Sequence, residues 1–196
     1  MKYFWEMFST TLGSAAVIAG IAMVVFSSKK RSELHKKNKT AHSILLAVVF
    51  GLLSVYASVS AVEINGALCN CRNLAPLYAG LVGGPIAGLG AALIGGLFRF
   101  FVYGGPSAIP CMLACFFAGI FGSVIHLVAK REVRYNILTG VCSSVIVEIV
   151  HYFLLIVFKM GYTAKIIIVP MMLSNVLGMA FCLYIYKCFD KNKEKN

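Results

Sequence analysis

Two arginines flank the most apolar and glycine-rich part of this sequence. Arg72 and Arg99 lie 27 residues apart, and no Asp, Glu, Lys or Arg occurs between them. An arginine at membrane depth is costly and marks a functional site by default, and each guanidinium can hold two oxygens of a carboxylate or phosphate. If the two arginines converge, they predict a site for a small anion. The alternative is that both guanidiniums only extend to the lipid headgroups.

Glu148 and His151 interrupt a later apolar run and are three residues apart, so they share one face of a helix. The carboxylate could pair with His151 or with an arginine of the anion site. Two interpretations stay open for the pair, a structural hydrogen bond and a proton relay. Asn175, in the last apolar run, can hydrogen-bond between helices.

The seven cysteines do not predict a disulfide framework, because their number is odd and most lie inside apolar runs. Cys69-Asn70-Cys71 is the exception, since it falls in a polar stretch that is predicted to be a loop. Two thiols one residue apart suit a soft metal, but no His, Asp or second cysteine pair follows at zinc-ligand spacing. The sequence therefore predicts free thiols, with no metal and no other cofactor.

Motifs of soluble enzymes do not occur in the sequence. Gly88-Leu-Gly90-Ala-Ala-Leu93 lacks the third glycine of a dinucleotide fingerprint and follows no strand. There is no Walker lysine and no Ser/His/Asp set with positional support. We therefore expect no enzymatic activity from this chain.

The composition is that of an integral membrane protein. The 196 residues are 60% hydrophobic and 13% charged, whereas a soluble domain has about 45–50% apolar and about 25% charged residues. The net charge is +11, and 13 of the 18 Lys and Arg residues lie in segments 29–39, 130–134 and 187–195. Clusters that flank apolar runs are typical of cytoplasmic anchors that contact anionic lipid, not of a nucleic-acid surface.

The apolar runs predict an all-α membrane protein of five to six transmembrane helices with a glycine-rich re-entrant or kinked helical hairpin. Residues 1–189 are expected to form one transmembrane receptor domain, followed by a short basic cytoplasmic tail over 190–196. The predicted spans are residues 8–26, 44–62, 109–129, 137–158 and 166–186, and Arg99–Ser107 is predicted to be a loop.

The stretch Leu74–Phe98 is the element that must position the arginines. Small residues recur every fourth position from Gly80 to Gly96, which lets a neighbouring backbone approach closely. Gly83-Gly84-Pro85 interrupts this stripe, so the stretch is either a kinked span or two half-helices that meet at a turn. Together with Gly88, these glycines are the candidate wall of a binding site, because irregular backbone at membrane depth requires cover by protein or a water-filled cavity.

The charge distribution favours the hairpin. If Leu74–Phe98 crossed the membrane once, the basic loop 29–39 would lie opposite 130–134 and the tail, against the rule that such loops are cytoplasmic. If the stretch enters and returns, five spans remain and all three basic segments are cytoplasmic. The second limb, from Ile86 to Phe98, is also short for a crossing.

Several motifs in order resemble one known family. They are Asn70-Cys71-Arg72, Ala79-Gly80-Leu81-Val82-Gly83-Gly84-Pro85, Phe98-Arg99, Gly104-Gly105, Val147-Glu148-Ile149-Val150-His151, Pro170-Met171-Met172 and Asn175-Val176-Leu177-Gly178. They resemble the LytS-type five-transmembrane receptor domain of bacterial sensor histidine kinases over about residues 8 to 187. His151 stands where that family usually has Gln.

The resemblance implies a plasma-membrane sensor of small extracytoplasmic molecules or of the envelope state, linked in some members to pyruvate and in others to cell-wall turnover and autolysis. It places ligand-binding arginines at Arg72 and Arg99 and a pocket cysteine at Cys111, with Asn70 and Asn175 completing the hydrogen bonds. Ala114 stands where pyruvate-responsive members have serine, which argues against pyruvate itself. The family's kinase region has no counterpart in the sequence, so output is expected through a separate kinase or other membrane partner in a two-component phosphorelay.

A second function hypothesis is the substrate-binding subunit of an energy-coupling-factor transporter. Such subunits are similarly small and glycine-rich, and the pairs Ala15/Ala19 and Ala16/Gly20 could form the small-residue face that docks on a coupling subunit. A homodimer is a further expectation, and no nucleic-acid partner is expected.

Overall fold

The structure is a computed structural model that describes the backbone of residues 2–194 and the side chains of residues 3–28 and 33–189. Its helices are α1 (Lys2–Ser27), α2 (Lys29–Lys37), α3 (Lys39–Val59), α4 (Leu74–Gly83), α5 (Pro85–Phe98), α6 (Ala108–Val128), α7 (Arg131–Arg134), α8 (Ile137–Val157) and α9 (Gly161–Glu194). A π-helix, Arg99–Tyr103, continues α5, and strands β1 (Val62–Ile64) and β2 (Ala67–Cys69) pair antiparallel.

Within residues 2–194, six helices are long and apolar enough to cross a membrane, namely α1, α3, α5 with its π-helical extension, α6, α8 and α9. The prediction of an all-α membrane protein with five to six spanning helices is therefore confirmed. Helix α9 continues to Glu194, inside the segment predicted as a tail, and residues 195–196 lie outside the described part of the chain.

Three of the long helices meet through aromatic rings at one end of the bundle. Phe26, at the end of α1, and Tyr135, just before α8, both contact Tyr186 of α9, with ring centroids 5.1 and 4.4 Å away. Helix α2 follows α1 here, and α7 precedes α8. We call this the basic end, because the segments that carry the three basic clusters begin or end there.

Helix α4 is short and lies in the centre of the bundle. Every residue from Leu74 to Val82 is buried, and Tyr78 packs edge-on against the rings of Phe26 and Phe50. Its hydroxyl donates to the backbone carbonyl of Cys182 in α9 at 3.3 Å. The surrounding helices thus provide the protein cover that non-spanning backbone needs at membrane depth.

Helices α4 and α5 form a hairpin whose tip lies at the basic end. The turn residue Gly84 has φ +77°, in the left-handed region that favours glycine. Ser43, near the start of α3, donates to the carbonyl of Gly83 at 2.9 Å, and Nδ1 of His126, near the end of α6, lies 2.9 Å from the carbonyl oxygen of Leu81. The stretch is therefore two helices meeting at a turn, not one kinked span.

The open end of the hairpin lies at the opposite end of the bundle, which we call the distal end. Ser54, late in α3, donates to the carbonyl of Arg72 at 3.4 Å, and the Tyr103 hydroxyl lies 3.5 Å from the carbonyl of Val59. The hairpin therefore begins and ends at the distal end, and the three basic segments all lie at the basic end. The predicted end of the second limb at Phe98 was wrong. The helix continues through Tyr103, and its 19 residues are enough to cross a membrane.

The hairpin packs on α6 through glycine backbones. A Cβ atom at Gly88 would lie 2.7 Å from both the carbonyl oxygen of Gly119 and the Cα of Gly80. A Cβ at Gly122 would overlap the carbonyl oxygen of Leu77. Helices α4, α5 and α6 therefore touch main chain to main chain, as the recurrence of small residues predicts.

The segment before α4 is a β-hairpin, where the sequence predicted only a polar loop. Asn65 and Gly66 form its two-residue turn with φ +49° and +77°, the signs that a type I′ turn requires. Strand β2 is buried throughout, and the Cys69 thiol lies 3.9 Å from the carbonyl of Ile167 in α9. The hairpin covers the distal end of the bundle above α4.

Candidate functional site

Arg72 follows β2 and is fully buried, with 0% of its surface exposed. Its Nη2 donates to the carbonyl of Cys111 in α6 at 3.2 Å, and its Nη1 donates to the Ser58 hydroxyl in α3 at 3.4 Å. The backbone N–H donates to Oδ1 of Asn70 at 3.1 Å. Contacts with α3, α6 and the segment after β2 thus fix the arginine inside the protein at the distal end.

Arg99 begins the π-helix and is 2% exposed. Its Nη2 donates to the Ser107 hydroxyl at 2.6 Å, and its Nη1 donates to the carbonyl of Gly104. The backbone carbonyl of Ser107 accepts from the N–H of Cys111 at 3.0 Å, and the carbonyl of Cys111 accepts from Arg72. The structure therefore brings the two predicted arginines to the first turn of α6.

Neither guanidinium has a carboxylate within ion-pair distance among the described side chains. The Nε atoms of Arg72 and Arg99 are buried and have no hydrogen-bond partner. Burying a charge costs several kcal/mol unless it is paired and hydrogen-bonded. Two uncompensated guanidiniums beside each other give the distal end a strong local preference for an anion.

A pocket of about 60 Å³ lies beside Arg99 at the distal end. It is bounded by the turn at Gly66, by Tyr103 and by Pro106, with Glu63 on the lining. Glu63 is exposed and lies beyond ion-pair distance of Arg99, so it makes no direct salt bridge with the arginine. The pocket provides room for a small molecule next to the guanidinium.

Glu148 is the centre of a buried polar network on the other side of Cys111. Its Oε1 accepts from Nδ2 of Asn73 and from Nδ2 of Asn175, both at 3.1 Å. Its Oε2 lies 3.6 Å from Nδ1 of His151, an ion-pair distance but beyond a hydrogen bond. Of the partners left open by the sequence, the structure selects His151 for Glu148.

His151 links this network to the arginines. Its Nε2 lies 3.5 Å from Sγ of Cys111, whose carbonyl accepts from Arg72. The chain of polar groups therefore runs from the arginines through Cys111 and His151 to Glu148 on α8 and Asn175 on α9. All of these side chains are at most 2% exposed.

The predicted site residues fall into two connected groups. Asn70 and Cys111 contact Arg72, and Arg99 lines the distal pocket. Asn175 instead contacts Glu148 and the carbonyl of Met171. Gly83 and Gly84 lie at the hairpin tip near the basic end, and Gly88 lies in the contact with α6; they shape the scaffold and do not line the pocket beside Arg99.

Sequence reasoning missed Asn73 and the hydroxyl partners of the arginines. Asn73 donates to Glu148 and lies 3.3 Å from Nδ1 of His151. Its position one residue after Arg72 in a short polar segment was a usable signal. Ser58 and Ser107 carried none, since single serines near helix ends are common.

The cysteines of the predicted loop are buried thiols. Burial and the nearby Glu148 charge raise the pKa of Cys69 to about 12, and burial likewise raises the pKa of Cys71. Protonated thiols are poor metal ligands. In the described part of the chain, no group of three or more His, Cys, Asp or Glu side chains is arranged to hold a metal.

Comparison with known proteins connects this arrangement to one family. The sequence profile of the 5TM-5TMR_LYT family, described as the 5TMR of 5TMR-LYT, matches residues 25–188. One curated relative is Sensor histidine kinase BtsS of Escherichia coli K12, which is 27% identical over 74% of this chain and 27% of its own length. Another is Sensor histidine kinase YpdA of the same strain, which is 30% identical over 80% of this chain and 29% of its own length. Sensor protein LytS of Streptococcus agalactiae is 26% identical over 91% of this chain and 34% of the relative.

The chain thus spans about a third of the length of the curated relatives it matches. No solved structure matches it. The matched residues run from the end of α1 into α9 and include every residue of the polar network. The chain belongs to the 5TMR-LYT family and is a multi-pass membrane sensor domain of the kind found in LytS- and BtsS-type histidine kinases.

Proposed function

We propose that this sensor domain binds a small carboxylate between Arg72 and Arg99 at its distal end. The observation that carries the proposal is the burial of two guanidiniums whose Nε atoms are unpartnered and which lack a carboxylate among the described side chains. A carboxylate would supply the missing charge and accept from planar donor groups, a pairing that arginine favours. The adjacent pocket of about 60 Å³ limits the ligand to a few heavy atoms.

The distal end faces the outside of the cell in this proposal. Segments rich in Lys and Arg are retained in the cytoplasm, which orients the basic end inward. A ligand would then enter past the β-hairpin from the extracytoplasmic side. Its binding would favour one packing of the α4–α5 hairpin over another, by as much as its affinity differs between the two packings.

The output of the domain is proposed to pass to a histidine kinase in a two-component system. The relatives BtsS and YpdA are named sensor histidine kinases, and the matched region is their membrane sensor domain. A kinase or another membrane signalling protein would receive the signal at the basic end. Control of cell-wall turnover is the response that the resemblance to LytS suggests.

The transporter hypothesis has less support. Ala15 and Ala19 are buried, and the Cβ of Ala15 packs close to Gly178 of α9, so they cannot dock on a coupling subunit. Ala16 and Gly20 remain exposed on α1. The family membership favours sensing.

The test is a thermal-shift screen of the detergent-purified protein with small mono- and dicarboxylates and inorganic phosphate. A binder at 100 times its dissociation constant should stabilise the fold by about 2.7 kcal/mol. Arg72→Gln and Arg99→Gln should each weaken that binder by about tenfold or more, because a charged hydrogen bond contributes ~1.5–3 kcal/mol.

Arg134→Gln is the matched control. Arg134 lies at the basic end, and its Nε is also buried and unpartnered. Its replacement should leave ligand affinity unchanged. Equal affinity in the wild type and in both distal arginine variants would rule out the proposed site.

A further inference from the structure

We propose that two copies of this chain associate in the membrane through the outer face of α1, and that each copy receives the other in a groove between α1 and α9. The contact line consists of Ser9, Gly13, Ala16, Gly20 and Met23, which we call the α1 seam. All five residues are exposed. The inference does not rest on the proposed anion site, since no residue of the seam lines the distal pocket.

The seam repeats with the spacing of a coiled coil. Its members follow one another at intervals of four, three, four and three residues, a mean of about 3.5, which is the period of helices that wind around each other with a left-handed twist. Inside a membrane such helices associate through small residues, which let the two backbones approach closely. The seam has this pattern, because all of its residues except Met23 are small, and the surrounding described helices leave it uncovered.

The glycines of the seam have an empty side. Nothing lies within 4 Å of a Cβ atom built at Gly13 or at Gly20. Every other glycine inside the described helices has a neighbouring atom within that distance. Glycine is unfavourable inside a helix, and elsewhere in this bundle the close packing of a neighbouring helix offsets that cost. At Gly13 and Gly20 a single chain lacks the neighbouring helix.

A groove of about 250 Å³ lies beside the seam and opens on the outside of the bundle. Small residues form its floor, namely Ala15 and Ala19 of α1 and Gly178 of α9, all of them buried. The exposed Ala16 of the seam and Phe181 of α9 belong to its rim. Because every side chain that lines the groove is apolar, the groove suits an apolar side chain of the second copy.

A twofold axis along the membrane normal makes this surface complementary to itself. Two copies inserted in the same direction then have parallel α1 helices at the same depth, so each seam residue faces its own counterpart. The groove lies on the flank of the seam nearer α9, whereas Val17, which is 38% exposed, lies on the opposite flank. The rotation therefore brings Val17 of each copy to the groove of the other.

The area of this face matches what a stable dimer needs. Helix α1 has 26 residues and is about 39 Å long at 1.5 Å per residue. Two adjacent helices about 10 Å wide thus present about 800 Å², the area that each partner buries in a specific interface. Helix α1 alone would supply about half, so the contact includes the groove rim on α9, where Leu177 and Phe181 are 50% and 54% exposed.

A second copy uses this surface more fully than a lipid chain does. An acyl chain can fill the groove, but it gains nothing from the bare backbone at Gly13 and Gly20, because flexible methylene groups also pack well around larger side chains. A helix gains close main-chain contact only where side chains are small. The combination of seam and groove therefore favours a helix as the occupant.

The experiment is a cysteine cross-linking scan of the full chain in lipid vesicles. The exposed Cys142 and Cys188 are first replaced by serine. With a membrane-permeant oxidant such as iodine, Ala16→Cys should then give a disulfide-linked dimer. Ile21→Cys, on another face of α1, and Ile149→Cys, on the exposed face of α8, are the controls and should stay monomeric. Along α1 the yield should rise and fall with the spacing of the seam.

Gly20→Leu is the variant that should separate the copies. A side chain there meets open space within one chain, so the fold is kept, whereas between two copies it holds the main chains apart. Energy transfer between copies that carry fluorescent proteins after Asn196 gives the dissociation constant in vesicles, which should rise about tenfold or more. Val124→Leu adds bulk to the exposed face of α6 and should leave the constant unchanged.

The alternative outcomes each overturn the inference. A chain that is monomeric at every protein-to-lipid ratio would have lipid in its groove. Equal cross-linking at Ala16, Ile21 and Ile149 would reflect random collision, and a dimer that Gly20→Leu does not weaken would use another surface. If a carboxylate still binds while the dimer is absent, the α1 seam alone is wrong and the anion site stands.

Discussion

At the scale of single residues, Ser107 connects Arg99 to the β-hairpin that covers the distal end. Its hydroxyl accepts from Arg99 at 2.6 Å and donates to the carbonyl of Gly66 at 2.9 Å. The arginine, the β-turn and the start of α6 are thereby joined through one oxygen, which is 0% exposed. A buried hydroxyl with both roles occupied fixes the geometry of the guanidinium more tightly than charge alone would.

We predict that Ser107→Ala destabilises the protein by ~1–3 kcal/mol, because it leaves a buried guanidinium N–H and a carbonyl without partners. Thermal unfolding in detergent should show a lower midpoint. Ser9→Ala is the control, since the Ser9 hydroxyl only donates to a carbonyl in its own exposed helix turn. Equal midpoints for the two variants would contradict the role assigned to Ser107.

The residues of the site were only partly predictable from the sequence. Arg72, Arg99 and the Glu148–His151 pair stand out because a polar side chain is conspicuous in or beside an apolar run. The contact of Cys111 with His151 could not be predicted, because it depends on how α6 packs against α8. Asn73 was overlooked because its polarity matched the segment around it.

At the scale of elements, the α4–α5 hairpin depends on residues without side chains. The limbs touch each other and α6 at Gly80, Gly88 and Gly119, where no Cβ atom fits. The sequence predicted the hairpin because its breaker and its four-residue repeat are local signals. The π-helix was missed, since the run from Arg99 to Tyr103 contains neither an alternating pattern nor a distinctive turn signal.

We predict that Gly88→Ala separates α5 from α6 and lowers stability by ~1–3 kcal/mol, the usual cost of overpacking. The new methyl group would meet main-chain atoms, which cannot rotate away. Gly13→Ala is the matched control in α1, because nothing lies within 4 Å of a Cβ there. The melting temperature of the Gly13 variant should stay the same or rise, since alanine favours helix over glycine. A Gly88 variant that melts with the wild type would refute the packing argument.

At the scale of the whole molecule, a group of exposed aromatic residues and the basic segments lie at opposite ends of the bundle. The exposed side chains of Tyr3 and Trp5, at the start of α1, and of Phe101 and Tyr103 lie at the distal end, where a belt of aromatic residues suits a membrane–water interface. The basic segments gather at the other end. Because the α4–α5 hairpin has two limbs and returns to the distal end, the basic segments before and after it lie at the same end of the bundle.

We predict that reporters fused after Ser28 and after Asn196 are both cytoplasmic, whereas a reporter inserted at the Asn65-Gly66 turn lies outside. The reason is the retention of Lys- and Arg-rich segments in the cytoplasm. Paired alkaline phosphatase and fluorescent-protein fusions would check each position. If the reporters after Ser28 and Asn196 lay on opposite sides, the hairpin would have to be a single crossing.

The glycine contact between the hairpin and α6 has a mechanical consequence. Side chains at a helix interface usually absorb small displacements by changing rotamer, but Gly88, Gly119 and Gly122 have no rotamers to change. A displacement of one limb must therefore carry the adjoining main chain of α6 with it. The three helices therefore form one stiff unit that joins the arginines at the distal end to the hairpin tip at the basic end, where Ser43 and His126 contact the turn.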